Sequence, residues 1–360
     1  MASRNLNTII LSDPRSFSGQ TQPSDDYIKR GADLLETEGT TTTIALSDPS
    51  WREELRSALP SADLLLVSPW RSPDILIDGA MLDSAPRLKA IGGTFDNRFT
   101  TFVSIDELTE RGIVLVDTSR SMTPTVAEFA LAQTLNLLRD IPSAVALMRA
   151  GGWKRSSWDS FGHVYGDLAG KKIGLAGYGS INRRYHELIS GFGCPTAVYD
   201  PILDKSGAEQ LGLTYTDSLE ELAAASEIFV VGIPPLKSSL RAIDKTVFDA
   251  LPVGSLFVLV SRMAVVDEPA LWDAVDNRRL RAAIDVFSTE PVPPDAPFRF
   301  HPNVLPTPHI AGEASYCHER CFYDACLGCL AVIKGQPRRF EATRIDATMY
   351  MGVAQNPKPQ

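Results

Sequence analysis

Three side chains with complementary chemistry follow predicted strands in the C-terminal half of the chain. Arg262 follows one apolar run, and Glu290 and His309 follow two later ones. An arginine can bind a carboxylate through two parallel hydrogen bonds, and a histidine can exchange a proton near neutral pH. A glutamate beside that histidine can fix its tautomer and favour its charged form. Because parallel strands present their carboxyl ends along one sheet edge, we expect one site suited to hydride chemistry on a 2-oxo or 2-hydroxy acid.

A glycine-rich turn lies upstream, between a strand-like run at 171–176 and a predicted helix at 183–192. A second predicted strand, 196–199, ends at an acidic residue. Such a turn lets the backbone approach a pyrophosphate at a helix N-terminus, and an acid about 20 positions on can bind ribose hydroxyls. The pattern therefore predicts a dinucleotide site formed by Gly177, Gly179, Ser180, Ile181 and Asp200.

Two residues of this segment refine the prediction. The carboxylate of Asp200 would repel a 2′-phosphate, which favours NAD over NADP. The third glycine of the pattern is replaced by Asn182, whose larger side chain must be accommodated where the helix packs on the strand. We expect this replacement to change packing more than contact with the phosphates.

Together these segments resemble the D-isomer-specific 2-hydroxyacid dehydrogenase family, over nearly the whole chain. The run 168–174 looks like the family's lead-in to its Rossmann domain, and Tyr199-Asp200-Pro201 is similar to its ribose-binding strand end. The segments that follow Arg262, and those at 285–291 and 308–312, are similar to its three catalytic blocks. The resemblance implies an α/β protein with two Rossmann-like or flavodoxin-like parallel-sheet domains.

The resemblance also implies roles for individual residues. Arg262 would bind substrate, Glu290 would pair with the histidine, and His309 would donate or accept the proton. Further cofactor contacts would come from Pro234, Ser239, Val260, Ser261 and Asp285, the last of which would hold the nicotinamide carboxamide.

A glycine-containing loop after another predicted strand, 88–92, resembles the family's substrate loop. Its backbone N–H groups would meet the substrate carboxylate at Gly93 and Thr94; the alternative is an ordinary tight turn. Many members carry glycine where Thr94 stands, and Met263 follows the arginine where glycine is usual. A methionine there can crowd the edge of the pocket, so the specific substrate stays open.

The implied function is an NAD-dependent oxidoreductase that transfers hydride between NAD(H) and a small 2-hydroxy or 2-oxo acid. This describes a D-2-hydroxyacid dehydrogenase or a 2-oxoacid reductase, including reductases of the glyoxylate and hydroxypyruvate kind. Two alternatives stay open. One is an NADH-sensing protein of the same fold without turnover, since fold alone does not determine function. The other is a dehydrogenase of a non-carboxylate anion such as phosphite.

Apolar runs alternate with helical stretches along the chain, which predicts two parallel α/β sheets. The predicted strands of the first sheet are 8–11, 42–46, 64–67, 88–92 and 114–116. Those of the second are 173–176, 196–199, 228–233, 255–260, 282–286 and 303–306. A helix at 127–139 leads into the second sheet, and a helix after Gly312 returns to the first. We therefore predict a substrate domain from 1–118 and 316–350, an NAD-binding domain from 119–315, and a loose tail at 351–360.

Composition limits the partners. The chain has 360 residues, 44% of them hydrophobic, which is enough for two cores. Its net charge of -9 is spread along the chain without a lysine- or arginine-rich block, so we expect no nucleic-acid partner. No run approaches the roughly 20 apolar residues that span a bilayer, and no secretory pattern opens the chain. We predict a cytoplasmic protein without a membrane partner.

Four of the five cysteines cluster near His318, which raises the question of a metal site. The segment 314–333 reads as a helix, on which the thiols cannot converge on one ion, so we predict no metal and buried thiols in a reducing compartment. The remaining histidines, His163, His186, His301 and His318, are predicted to lie in loops or on helix surfaces.

The predicted helix at 127–138 has an apolar stripe that one subunit alone would not cover. This stripe favours a homodimer. The alternative is that the stripe packs inside its own chain. Its members are Ala130, Leu131, Thr134, Leu135 and Leu138.

Overall fold

A computed structural model describes residues 5–12, 26–68, 76–95, 102–153, 165–277, 280–338 and 340–342. The described residues form two compact units. The first is drawn from Met1–Met122 and Glu313–Met351, and the second from Thr123–Gly312. The predicted tail at 351–360 lies outside the described residues.

The first unit contains a five-stranded parallel sheet among its described residues, in the order β2-β1-β3-β4-β5. Its strands and helices, in chain order, are β1 Leu6–Ser12, α1 Asp26–Glu36, β2 Gly39–Ala45, α2 Trp51–Ala58, β3 Leu64–Val67, α3 Gly79–Asp83, β4 Ala90–Gly93, α4 Ile105–Glu110 and β5 Val114–Asp117. The central strands β3 and β4 are buried at every residue, as apolar strands covered on both faces must be.

The second unit contains a seven-stranded parallel sheet among its described residues, in the order β12-β11-β10-β9-β6-β7-β8. Its elements are α5 Thr123–Arg139, α6 Ile141–Arg149, β6 Ile173–Ala176, α7 Ser180–Ile189, β7 Thr196–Tyr199, α8 Lys205–Gln210, β8 Thr214–Tyr215, α9 Leu219–Ala224, β9 Ile228–Val231, α10 Lys245–Ala250, β10 Leu256–Leu259, α11 Glu268–Asn277, β11 Arg281–Ile284 and β12 Val304–Pro306. The predicted fold class, two parallel-sheet α/β domains, is confirmed. The short strand β8 is an addition, since the sequence analysis predicts six strands here.

The chain returns to the first unit through α12, Ser315–Lys334. Small residues let this helix pack closely: a Cβ added at Gly92 on β4 would lie 2.5 Å from the sulfur of Cys329. All four of its cysteines are buried and carry free thiols. His318 is also buried, so the prediction that it lies on a helix surface is wrong. The helix α12 packs against both α1 and β4.

The stripe predicted for dimer formation lies on α5. Ala130, Thr134 and Leu138 are fully buried within the chain itself, and Leu131 and Leu135 are half-buried. The helix packs on α7, β10 and β11, which cover most of the stripe. The argument for a dimer from this stripe is therefore wrong, and the alternative of packing inside the chain describes it better. Within the described part of the chain, no helix combines the length and apolarity needed to cross a bilayer.

Candidate active site

The sheet of the second unit brings several functional side chains to its carboxyl edge. Leu259 of β10 pairs with Ile284 of β11, and Ile284 pairs with Pro306 of β12. Since these strands are parallel and adjacent, the segments that follow them leave the sheet side by side. Arg262, the segment starting at Asp285, and the segment carrying His309 are those continuations.

His309 and Glu290 form a direct pair. The Nδ1 atom of His309 lies 2.7 Å from Oε2 of Glu290, and both side chains are about one-fifth exposed. The other carboxylate oxygen of Glu290 accepts a 3.0 Å hydrogen bond from the backbone N–H of Phe287. The glutamate is thus held at both oxygens, which fixes the imidazole ring and leaves Nε2 to exchange a proton.

Asp285 holds the loop on which His309 lies. Its carboxylate accepts hydrogen bonds from the Thr307 hydroxyl at 2.6 Å, from the N–H of Ile310 at 3.0 Å and from the N–H of Ala311 at 2.8 Å. Burial raises the pKa of Asp285, against these hydrogen bonds and the charge of His309. His309 itself has a φ of 56°, a conformation uncommon for a histidine, and the bonds on both sides of it stabilise that conformation.

This support for His309 is absent from the sequence analysis, which gives Asp285 only a nicotinamide contact. The structure shows the aspartate 1% exposed, with both oxygens bonded to the histidine loop. One feature of the sequence could have indicated this contact between Asp285 and the histidine loop: Thr307 directly follows β12, as Asp285 directly follows β11. Neighbouring strand ends place such residues within hydrogen-bond reach.

Arg262 lies half-buried beyond β10, with its guanidinium Nη1 donating to the carbonyl of Ser261 at 2.7 Å. The preceding Val260 and Ser261 are buried. Met263 is only 3% exposed and packs in the apolar core of the unit. Met263 begins a short 3₁₀ turn, Met263–Val265, directly after the extended Arg262.

The glycine-rich turn joins β6 to α7, as the sequence pattern predicts. Gly177 has a φ of 83°, and a Cβ there would lie 3.1 Å from the backbone nitrogen of Ile233. Only glycine combines that conformation with such close backbone approach. Gly179 precedes the first residue of α7, so the backbone N–H groups of Ser180 and Ile181 belong to the helix N-terminus, where a pyrophosphate binds favourably.

Two charged side chains hold this turn by its backbone. The Oδ2 atom of Asp200 accepts from the N–H of Tyr178 at 2.7 Å, and Nε of Arg183 donates to the Tyr178 carbonyl at 2.9 Å. The other oxygen of Asp200 accepts from the N–H groups of Ile202 and Leu203, at 2.8 and 3.2 Å. The carboxylate therefore lies beside the turn at the end of β7, where the ribose of a dinucleotide is expected.

The remaining predicted cofactor residues follow β9. The hydroxyl of Ser239 donates to the Pro234 carbonyl at 2.5 Å and accepts from the N–H of Leu236 at 2.8 Å. Ser239 therefore shapes the loop that begins at Pro234. Its place in the cofactor site stays a prediction.

The residues at this sheet edge fit a dinucleotide. The hydroxyl of Ser261 is buried and has no hydrogen-bond partner among the described residues, which leaves it available to a ligand. The close backbone approach at Gly177 would suit the phosphates, and the carboxylate of Asp200 would suit the ribose. These are features of the chain's own geometry.

Comparison with known proteins agrees with that fit. Residues 131–311 match the sequence profile described as D-isomer specific 2-hydroxyacid dehydrogenase, NAD binding domain. A glyoxylate reductase of Thermofilum pendens is 31% identical over 291 residues, which cover 80% of this chain and 83% of that protein. The chain belongs to the D-isomer specific 2-hydroxyacid dehydrogenase family. Its predicted cofactor, NAD, is confirmed by the matching profile.

Other relatives carry different names. The chain is 34% identical over 289 residues to a D-3-phosphoglycerate dehydrogenase of Mycobacterium bovis, covering 79% of this chain and 52% of that protein. It thus spans about half the length of that relative. The solved structure of a phosphoglycerate oxidoreductase from Rhizobium etli matches with a TM-score of 0.76 at 24% identity, over 95% of this chain and 99% of that one. This likeness concerns the fold.

The substrate loop that the sequence predicts for this chain lies in the first unit, at the end of β4. A Cβ at Gly93 would lie 2.7 Å from the carbonyl of Val67, so no larger residue fits there. The Thr94 hydroxyl lies 2.9 Å from that of Thr118. Gly93 and Thr94 line a small pocket together with Tyr27, Ser68 and His318. Thr94 therefore uses its side chain within the unit, and its role in substrate binding stays a prediction.

Proposed function

We propose that this protein is an NAD-dependent oxidoreductase that interconverts a small 2-hydroxy acid and the corresponding 2-oxo acid. The observation that carries the proposal is the 2.7 Å pair between His309 and Glu290. It lies at the carboxyl edge of an NAD-binding sheet, and Arg262 follows the neighbouring strand. A histidine held in this way can act as a general acid or base, and an arginine at the same edge can bind the carboxylate of a substrate.

In the reducing direction the side chains act as follows. Arg262 orients the substrate carboxylate through its guanidinium group. The nicotinamide ring of bound NADH supplies the hydride. Negative charge develops on the substrate carbonyl oxygen, and protonated His309 donates its Nε2 proton there while Glu290 stabilises the imidazolium. In the oxidising direction neutral His309 takes the hydroxyl proton through the same nitrogen.

The direct test is turnover of NADH with a panel of unbranched 2-oxo acids, including glyoxylate and hydroxypyruvate, and 3-phosphohydroxypyruvate. Oxidation of phosphite with NAD is measured alongside. The proposal expects turnover with at least one 2-oxo acid. Tight NADH binding without turnover of any substrate would instead indicate a sensing protein, and turnover of phosphite alone would indicate a non-carboxylate substrate.

We further propose that the protein is a homodimer. The support comes from α6, on which none of the residues is buried within the chain. Ile141 is 44%, Val145 40% and Met148 54% exposed, and Trp153 shortly beyond the helix is 75% exposed. Exposed apolar residues at positions 141, 145 and 148 share one face of the helix, and such a face favours a subunit contact. Light scattering at micromolar concentration tests it: twice 39.3 kDa is expected, and 39.3 kDa would contradict it.

We also propose a cytoplasmic location. Its support is the five free thiols, which suit a reducing compartment. Fractionation of the source cells tests this, and recovery in an oxidising compartment would contradict it.

A further inference from the structure

Asn182 occupies the position at which the glycine-rich pattern has its third glycine. It lies in the first turn of α7, is fully buried, and reaches back over the ends of two strands. Its amide nitrogen donates to the carbonyl of Gly177 at 2.7 Å, with longer contacts to the carbonyls of Ala176 at 3.3 Å and Val230 at 3.4 Å. The side chain therefore ties the helix to the turn and to both strands.

The orientation of the amide follows from its surroundings. Three carbonyl oxygens surround the nitrogen, whereas Oδ1 is buried without a hydrogen-bond partner among the described residues. The reverse orientation would set the amide oxygen against carbonyl oxygens, which repel it. The donor group is accordingly the functional end of this side chain, and its strongest contact is the short bond to Gly177.

Room for the side chain is provided by a second glycine, Gly232, directly after β9. A Cβ at Gly232 would lie 2.5 Å from Cγ of Asn182, 2.6 Å from its Nδ2 and 2.8 Å from its Oδ1. The backbone at Gly232 is outside the left-handed region, so alanine is disfavoured there by space rather than by conformation. Asn182 and Gly232 thus form a matched pair.

We propose that Asn182 is a positioning residue for dinucleotide binding, and that Gly232 is the partner that makes this possible. By holding the Gly177 carbonyl, Asn182 keeps the turn in the conformation that presents the N–H groups at the start of α7 to the pyrophosphate. The side chain of Asn182 contacts the glycine-rich turn from the interior. In this proposal the turn, and not Asn182, contacts the cofactor. The inference rests on NAD being the cofactor.

The test uses NADH fluorescence to measure its dissociation constant for the full chain, with the melting temperature measured in parallel. Asn182→Gly removes the side chain and should weaken NADH binding about fivefold, the equivalent of the roughly 1 kcal/mol of one hydrogen bond. Gly232→Ala should displace the amide and weaken binding to a similar extent. In the double variant the added methyl group meets empty space, so binding and melting temperature should equal those of Asn182→Gly alone.

A matched control separates positioning from general stability. Tyr185, one turn further along α7, is fully buried and shares a 3.0 Å hydrogen bond with Thr134. Tyr185→Phe removes a buried hydrogen bond from the same helix and should lower the melting temperature without changing NADH affinity.

The outcomes are distinct. If the wild type binds NADH and Asn182→Gly binds it equally well, the positioning role is refuted while the proposed function stands. Additive effects of the two single variants would refute the pairing with Gly232. A wild type that fails to bind NADH at all would refute the cofactor assignment itself.

Discussion

Replacing Glu290 by glutamine isolates the part of the mechanism that depends on the histidine's partner. The carboxylate uses both oxygens as acceptors, Oε1 from Phe287 N–H at 3.0 Å and Oε2 toward His309 Nδ1 at 2.7 Å. A glutamine offers one acceptor and one donor. It can keep the bond to Phe287 only by turning its amide NH₂ toward His309, which forces Nδ1 to accept and moves the proton of neutral imidazole to Nε2.

The expected magnitude follows from that exchange. The opposite orientation of the glutamine sets its NH₂ against the Phe287 N–H, and either orientation loses a charge-assisted hydrogen bond in a pair about one-fifth exposed. Such a bond contributes about 1.5–3 kcal/mol, so kcat should fall by about tenfold to a hundredfold. NADH affinity should stay the same, because Glu290 holds His309 rather than the glycine-rich turn that is proposed to bind the pyrophosphate.

The assay is steady-state reduction of the best 2-oxo acid, with NADH binding measured separately. Glu268→Gln is the matched control, since Glu268 bonds Ser288 and the Trp272 indole rather than His309. It should keep kcat within about threefold of the wild type. A Glu290→Gln enzyme as active as that control would refute the role given to Glu290.

Three further predictions concern cofactor choice, substrate binding and stability. The wild type should prefer NADH to NADPH, and Asp200→Ala should narrow that preference by about tenfold in kcat/KM; equal use by the wild type would contradict the role of Asp200. Arg262→Lys keeps the charge but loses the planar fork, so KM for the 2-oxo acid should rise about tenfold or more with NADH affinity unchanged; an unchanged KM would count against it. Burial lowers the pKa of His318 to about 4, so below its usual value of about 6.5 the unfolded chain binds a proton that the folded chain excludes. The free energy of unfolding should therefore fall by about 2 kcal/mol between pH 7 and pH 5, and urea unfolding of His318→Gln should not show this loss. The same pH dependence of the free energy of unfolding in wild type and variant would contradict the prediction.

Much of the sheet architecture follows from local patterns. Apolar runs predict β3, β6 and β7 at the bounds that the structure has. β8 is only two residues long, half-buried or exposed, and such a strand has no pattern of its own. The helix α7 begins at Ser180, three residues before the predicted start, because the end of the glycine-rich turn already forms its first turn.

The candidate site also has a part that the local sequence predicts and a part that depends on the fold. The residue types at Arg262, Glu290 and His309 indicate their chemistry from the sequence alone, because charged side chains that directly follow buried apolar strands are uncommon without a function. The three bonds that Asp285 makes to the histidine loop depend on the adjacency of β11 and β12, which no single segment encodes. The contact of Asn182 with Gly232 joins positions 50 residues apart and likewise needs the fold.

The central claim, that His309 is the acid and base of a dehydrogenase, is tested most directly by His309→Asn. Asparagine tolerates the left-handed backbone that His309 adopts, so the loop should survive the change. The account predicts that turnover of the best 2-oxo acid falls by roughly two to four powers of ten while NADH binds nearly as before. Near-normal turnover in this variant would contradict the account.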